Sequence, residues 1–160
     1  MFTISTAAGQ HVTVDESTST TYRGGASSID PSAIKVGTSA IVLGTTSGTT
    51  IEATQVMVVP SSSPAVAASS ASQVVPFQRG TRSPSKSIGQ IPADWAQGSG
   101  TIIGGSAANK ATEAALAACP GGVVDRVVAL GGGEYNVHYI GVNWPHQVFV
   151  NHDFQVVGAE

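Results

Sequence analysis

The chain has 160 residues, and its Lys+Arg count of 7 against an Asp+Glu count of 10 gives a formal net charge of -3. Charged residues make up only 11% of it, less than half the roughly 25% of an average soluble protein. With so few cations, and with no apolar run near the ~20 residues that span a bilayer, the composition argues against nucleic-acid binding and against a transmembrane helix.

Composition divides the chain into three parts. Residues 1–59 and 101–160 carry regular apolar patterns, whereas residues 60–100 are rich in Ser, Ala, Pro, Gly and Gln. This indicates two small folded domains and a linker between them. The overall class expected is α+β, mostly β.

The first part contains short alternating apolar runs separated by Gly-bearing turns, which predicts five strands in a meander or a partly open barrel. The expected strands are Phe2 to Ser5, His11 to Asp15, Thr20 to Arg23, Ala40 to Leu43 and Ile51 to Val59. In the last hairpin, Ile41 and Leu43 are expected to face Ile51 and Ala53.

The hairpin segment also carries a family resemblance. The step Ile34-Lys35-Val36-Gly37, the strand Ala40 to Gly44 and the run Ile51 to Val56 resemble an exported bacterial domain of unassigned function with an OB-like barrel. The resemblance covers residues 2–59 and implies a small five-stranded barrel without an agreed activity. OB barrels often bind nucleic acids through a basic groove and stacking aromatics. This segment is acidic and has only Phe2 and Tyr22 as aromatics, so no nucleic-acid partner is expected.

The linker holds two apolar groups, Phe77 and Trp95, in otherwise disorder-prone sequence. Either these rings are tethered to a domain surface, which we favour, or they are available to a partner.

In the third part, a helix is expected over Ala107 to Ala118, capped by Ser106 and stopped by Pro120-Gly121-Gly122. Strands follow at 123–130, 135–140, 146–151 and 155–157. Alternation along these strands predicts one apolar face that seats the helix. The opposite face is expected to carry Asp125, Val127, Ala129, Asn136, His138, Ile140, Gln147 and Phe149.

This part resembles a PepSY-type domain, a helix-plus-antiparallel-sheet module of exported bacterial proteins and peptidase propeptides. The resemblance is carried by the helix 111–118, the strand 123–130 and the segments 134–138, 148–151 and 156–158. Asn151 stands where the family has Asp, and the family's Thr-Gly turn is absent. The resemblance implies a regulatory or inhibitory role near the cell envelope, with no catalytic residue.

Neither a metal site nor a catalytic site is predicted, and no cofactor is expected. His146 and His152 are six residues apart in an extended segment, about 20 Å, and His138 lacks an evident Asp or Glu in support. Cys119 ends an Ala-rich helix and has no neighbouring base.

These observations predict a non-enzymatic exported bacterial module that binds a protein or peptide at the cell envelope and could restrain a peptidase. The alternative is a structural subunit that pairs with copies of itself into a fibre or surface assembly. An extracellular, periplasmic or surface location is expected, with any signal or anchor upstream of Met1; a composition-biased cytosolic protein is the other interpretation of the composition. The candidate interaction residues are Trp144, His146, Phe149, Ile140, Val127, Trp95 and Phe77.

Overall fold

The computed structural model describes residues 1–24, 27–59 and 86–160. The described chain is mostly β-structure with one α-helix, which confirms the expected α+β class. The first sheet consists of β1 (Phe2–Ser5), β2 (His11–Gly24), β3 (Ser27–Ser28), β4 (Ala40–Ser47) and β5 (Thr50–Val58). A 3-10 helix, Pro31–Ala33, lies between β3 and β4.

The strand order in the first sheet is β1-β2-β5-β4, and β3 pairs with β2. β2 and β5 run parallel, which excludes the simple meander, because consecutive strands of a meander are antiparallel. The two strands expected at 11–15 and 20–23 are a single strand, β2, whose register with β5 shifts between Glu16 and Thr21. The Thr20 hydroxyl stabilises this irregularity by donating to the Ala53 carbonyl at 2.7 Å.

The register of the β4–β5 hairpin differs from the expected one. Val42, rather than Ile41 or Leu43, faces the core, and it lies opposite Val56. Ile51 lies opposite Thr46 and Ala53 opposite Gly44. The expectation failed because the turn pairs Ser47 with Thr50, which places the even-numbered residues of β4 on the same face as Ile51 and Ala53.

The second sheet has six antiparallel strands in the order β6-β11-β10-β9-β8-β7. Its strands are β6 (Ile88–Gly89), β7 (Thr101–Ile103), β8 (Val123–Ala129), β9 (Tyr135–Ile140), β10 (Gln147–Val150) and β11 (Val156–Ala159). Residues 88–89, which the sequence pattern assigns to the linker, form the outer strand β6 of this sheet.

Helix α1 (Gly105–Ala118) packs on one face of the second sheet. It begins two residues before the expected start, and its N-cap is Gly104 without a side-chain hydrogen bond, so the predicted Ser106 cap is wrong. Its end before Cys119 is as expected. The buried side chains are Ala108, Ala111, Thr112 and Ala115, and their small size allows the helix to lie close to the strands.

A β-bulge in β8 changes which side chains face the helix. Val124 pairs with Tyr139 and Arg126 with His138, so Asp125 is an extra residue in β8. Beyond the bulge the alternation is inverted. Val127 therefore packs in the helix-facing core, and its expected place on the opposite face is wrong. Val128 and Leu130 lie on that opposite face with Phe149.

The two sheets contact each other directly. Val12 and Ile51 of the first sheet pack against Val123 of β8, with Ile140 beside them. Ala8, from the β1–β2 turn, belongs to the core under α1. The domain boundaries predicted from composition stay a prediction.

No helix in the described ranges is both long and apolar enough to cross a bilayer.

Candidate functional site

The outer edge of β4 is the candidate binding site. β4 has 8 residues, whereas the other outer strands of the two sheets, β1, β3, β6 and β7, have 4, 2, 2 and 3. Within residues 1–24, 27–59 and 86–160, no strand pairs with this edge of β4. An unpaired edge presents a row of backbone N–H and C=O groups to which an extended chain can add.

The side chains of β4 suit such an addition. The strand carries no charged residue and no proline, the two features that proteins commonly use to block an edge. The irregularity of the hairpin lies in β5, at Thr54, so β4 itself is a continuous run. Ile41 and Leu43 are half-buried on its outward face.

The C-terminal end of β4 leads into a shallow cleft between the two sheets. The cleft is lined by Thr46, Gly141, Val142, Asn143 and Trp144. Gly141 has a φ of 77°, and a Cβ at this position would lie 3.0 Å from the Thr46 side chain. Glycine therefore lets the β9–β10 turn approach the end of β4.

Trp144 lies at the tip of the β9–β10 turn, as the sequence predicts. Its ring is half-buried and packs against the core under α1, and its Nε1–H donates to the Lys86 carbonyl at 2.7 Å. The peptide bond to Pro145 is cis. The indole thus covers the edge of the core and also forms one wall of the cleft.

The other predicted interaction residues lie in different places. The His146 side chain is exposed, whereas Val127 and Phe149 are completely buried within the chain. Ile140 packs against the first sheet. Trp95 is 8% exposed and contacts Phe149 edge to face, with ring centroids 5.1 Å apart. Phe77 lies outside the described residues. Only Trp144 and His146 of the described candidates therefore adjoin the solvent at the turn.

A polar cluster at the β8 bulge was not anticipated. The Asp125 carboxylate accepts from Arg126 Nε at 2.8 Å and pairs with the Nδ1 atom of His138. Asp125 therefore supports His138, and the expectation that no acidic residue does so is wrong. The sequence could have indicated this contact, because its alternation predicts Asp125 and His138 on the same face of the sheet. The bulge then brings Asp125 beside the imidazole.

His138 lies in the middle of the second sheet, between β8 and β10. Its register neighbours are Arg126 on β8 and Gln147 on β10. Three buried side-chain atoms of the helix and the neighbouring strands have no hydrogen-bond partner among the described residues. They are Thr112 Oγ1 on α1, Asn136 Nδ2 on β9 and Gln147 Oε1 on β10. Such atoms are commonly satisfied by ordered water. Asp125 thus holds the side chains of Arg126 and His138 in fixed orientations at the bulge.

No group of three or more His, Cys, Asp or Glu side chains with metal-binding geometry occurs in the part of the chain that the structure describes. Cys119 is a free thiol whose pKa is raised by burial.

No protein-family model, curated protein or solved structure matches the chain.

Proposed function

We propose that this protein is a non-catalytic module that binds an extended segment of a partner protein by strand addition to β4. The observation that carries the proposal is the eight-residue outer edge of β4, uncharged and without proline. The low content of charged residues, 11%, supports an exported bacterial protein that acts at the cell envelope. The suggested resemblances to an OB-like barrel and a PepSY-type domain fit this setting and belong to the same proposal.

Strand addition provides both affinity and selectivity at such an edge. Backbone hydrogen bonds hold the added segment, and its alternate side chains contact the two faces of the sheet. On the outward face these contacts are Ile41 and Leu43, and the end of the edge adjoins the Trp144 cleft. An extended segment along β4 could therefore reach Trp144.

The alternative is a structural subunit in which β4 pairs with the same edge of a second copy. This interpretation uses the same observation, because an unpaired edge can add any compatible strand. It differs in its prediction for the isolated protein, which should then form dimers or longer assemblies.

The test uses a blocked peptide of about eight residues that alternates Val with Gln, the length being that of β4. Amide NMR spectra of the full chain should show shifts concentrated in β4 and β5 when the peptide is added. A peptide N-methylated on alternate residues cannot donate from that edge and should not bind. Equal binding of the methylated peptide, or shifts confined to other strands, would contradict strand addition.

Two variants complete the design. Leu43→Lys places a charge on the outward face beside the edge and should weaken peptide binding, whereas Thr3→Lys on the short outer strand β1 is the matched control. Sedimentation of the free protein distinguishes the alternative. Concentration-dependent assembly that Leu43→Lys abolishes would favour the structural subunit.

A further inference from the structure

We infer that the segment bound at β4 carries a lysine or arginine beside Thr45 and apolar residues beside Ile41 and Leu43. This inference rests on the proposed function and specifies the chemistry of the partner.

The charge preference follows from one row of side chains across the first sheet. Thr45 of β4 lies opposite Glu52 of β5, and Glu52 lies beside Asp15 of β2. Neighbouring strands are about 4.8 Å apart, so the two carboxylates are close neighbours on one face. Both residues are exposed, and neither forms a salt bridge with any residue in the described ranges. Adjacent like charges in a sheet destabilise it, and a cation in the same row would relieve their repulsion.

An added strand would extend this row by one position. A residue beside Thr45 would lie two strand spacings from Glu52, roughly 10 Å between backbones. A long basic side chain and the Glu52 side chain can extend towards each other over the small Thr45 side chain. Because the pair would be solvent-exposed, its contribution should be modest and should decrease with added salt.

The other rows favour different residues. Ile41 lies opposite Met57, whose other neighbour is Arg23, and Leu43 lies opposite Gln55. A cation beside Ile41 would enter the row that already holds Arg23. Apolar side chains beside Ile41 and Leu43 would instead bury the half-exposed surface there. The row of Thr45 is therefore the place for the positive charge.

The same row disfavours a second copy as the occupant. β4 contains no Lys or Arg, so pairing between two β4 edges would bring no cation from either strand to Glu52 and Asp15. A segment of another protein, with a basic residue among alternating apolar ones, fits the edge better.

The test compares three peptides that differ only at one central outward position, which is Lys, Gln or Glu. A peptide can shift along the edge until this residue reaches Thr45. At low ionic strength the Lys peptide should bind about three-fold more tightly than the Gln peptide, and the Glu peptide about three-fold less tightly, as expected for one exposed ion pair. High salt should remove both differences.

Variants of the protein test whether Asp15 and Glu52 cause the preference for the Lys peptide. The double substitution Asp15→Asn with Glu52→Gln should abolish the preference for Lys and leave binding of the Gln peptide unchanged. Glu134→Gln, in the distant β8–β9 turn, is the matched control and should retain the preference.

The outcomes separate this inference from the proposed function. If all three peptides bind equally and N-methylation still prevents binding, strand addition is supported and the charge preference is overturned. If the preference persists in the double variant, the cation binds elsewhere and the inference is wrong. If no peptide binds, or if the free protein occupies the edge by self-association, both proposals fail.

Discussion

The side-chain carbonyl of Gln10 accepts a hydrogen bond of 2.6 Å from the backbone N–H of Val124. Its amide also donates to the Gly122 carbonyl at 2.9 Å. The buried Gln10 side chain, at the end of the β1–β2 turn, thus binds two backbone groups at the start of β8. This pair of bonds connects the two sheets with fixed geometry, in addition to the apolar contact of Val12 and Ile51 with Val123.

Gln10→Ala should lower the free energy of unfolding by about 2 to 4 kcal/mol, because it leaves a buried N–H and a buried C=O without partners. Urea denaturation followed by circular dichroism measures the change. Gln90→Ala, an exposed glutamine, is the control and should change stability by less than about 0.5 kcal/mol. Equal stability of the two variants would mean that water replaces the Gln10 bonds.

Phe149→Ala should destabilise the chain by about 3 to 5 kcal/mol, since it removes a fully buried ring and leaves a cavity. Trp95 is packed edge to face on this ring, so its fluorescence should shift towards that of an exposed indole. The measurement is made in a Trp144→Phe background, in which Trp95 is the sole tryptophan of the chain. An unshifted emission spectrum would indicate that the 86–100 segment stays packed without Phe149.

Trp144→Ala should cost about 2 to 3 kcal/mol, less than a fully buried aromatic ring, because the indole is half-exposed. Trp144→Phe retains most of the packing and loses the bond to Lys86, so it should cost about 1 kcal/mol. Asn143→Ala, exposed in the same turn, serves as the reference. Thermal unfolding of the three variants gives the ranking. A Trp144→Ala variant as stable as the reference would assign the ring to recognition alone.

Burial and the hydrogen bond to the Glu16 carboxylate raise the pKa of the Tyr22 phenol to about 12. The folded state therefore retains this proton at a pH where the unfolded chain, with a tyrosine pKa near 10, has lost it. The stability contributed by Tyr22 is fully present below about pH 10 and is lost as the pH rises towards about 12. Ultraviolet titration should show a late phenol ionisation that disappears in Tyr22→Phe. In Glu16→Gln its midpoint should move down, and an unchanged midpoint would exclude Glu16 as a cause.

Much of the local structure follows from the sequence alone. The alternation of residues 135–140 predicts β9 with its exact bounds, and Pro120-Gly121-Gly122 correctly mark the end of the helix. The small, apolar helix face and the mostly β character are likewise local properties, because side-chain period and helix-stopping residues act within a few positions. The low content of charged residues is a property of the composition and needs no structure to be seen.

Only the tertiary structure shows which strands pair and which side chains of each strand face the core. The parallel pairing of β2 with β5 depends on contacts between residues 11–24 and 50–58, which no local pattern encodes. The extra residues at Thr54 and Asp125 invert the alternation within β5 and β8, so Val56 and Val127 face inward and Asp125 contacts His138. Because a side-chain period of two reverses with every inserted residue, a bulge is invisible until the neighbouring strand is known. The outer position of β4 follows from the strand order β1-β2-β5-β4, which likewise depends on pairing between distant segments.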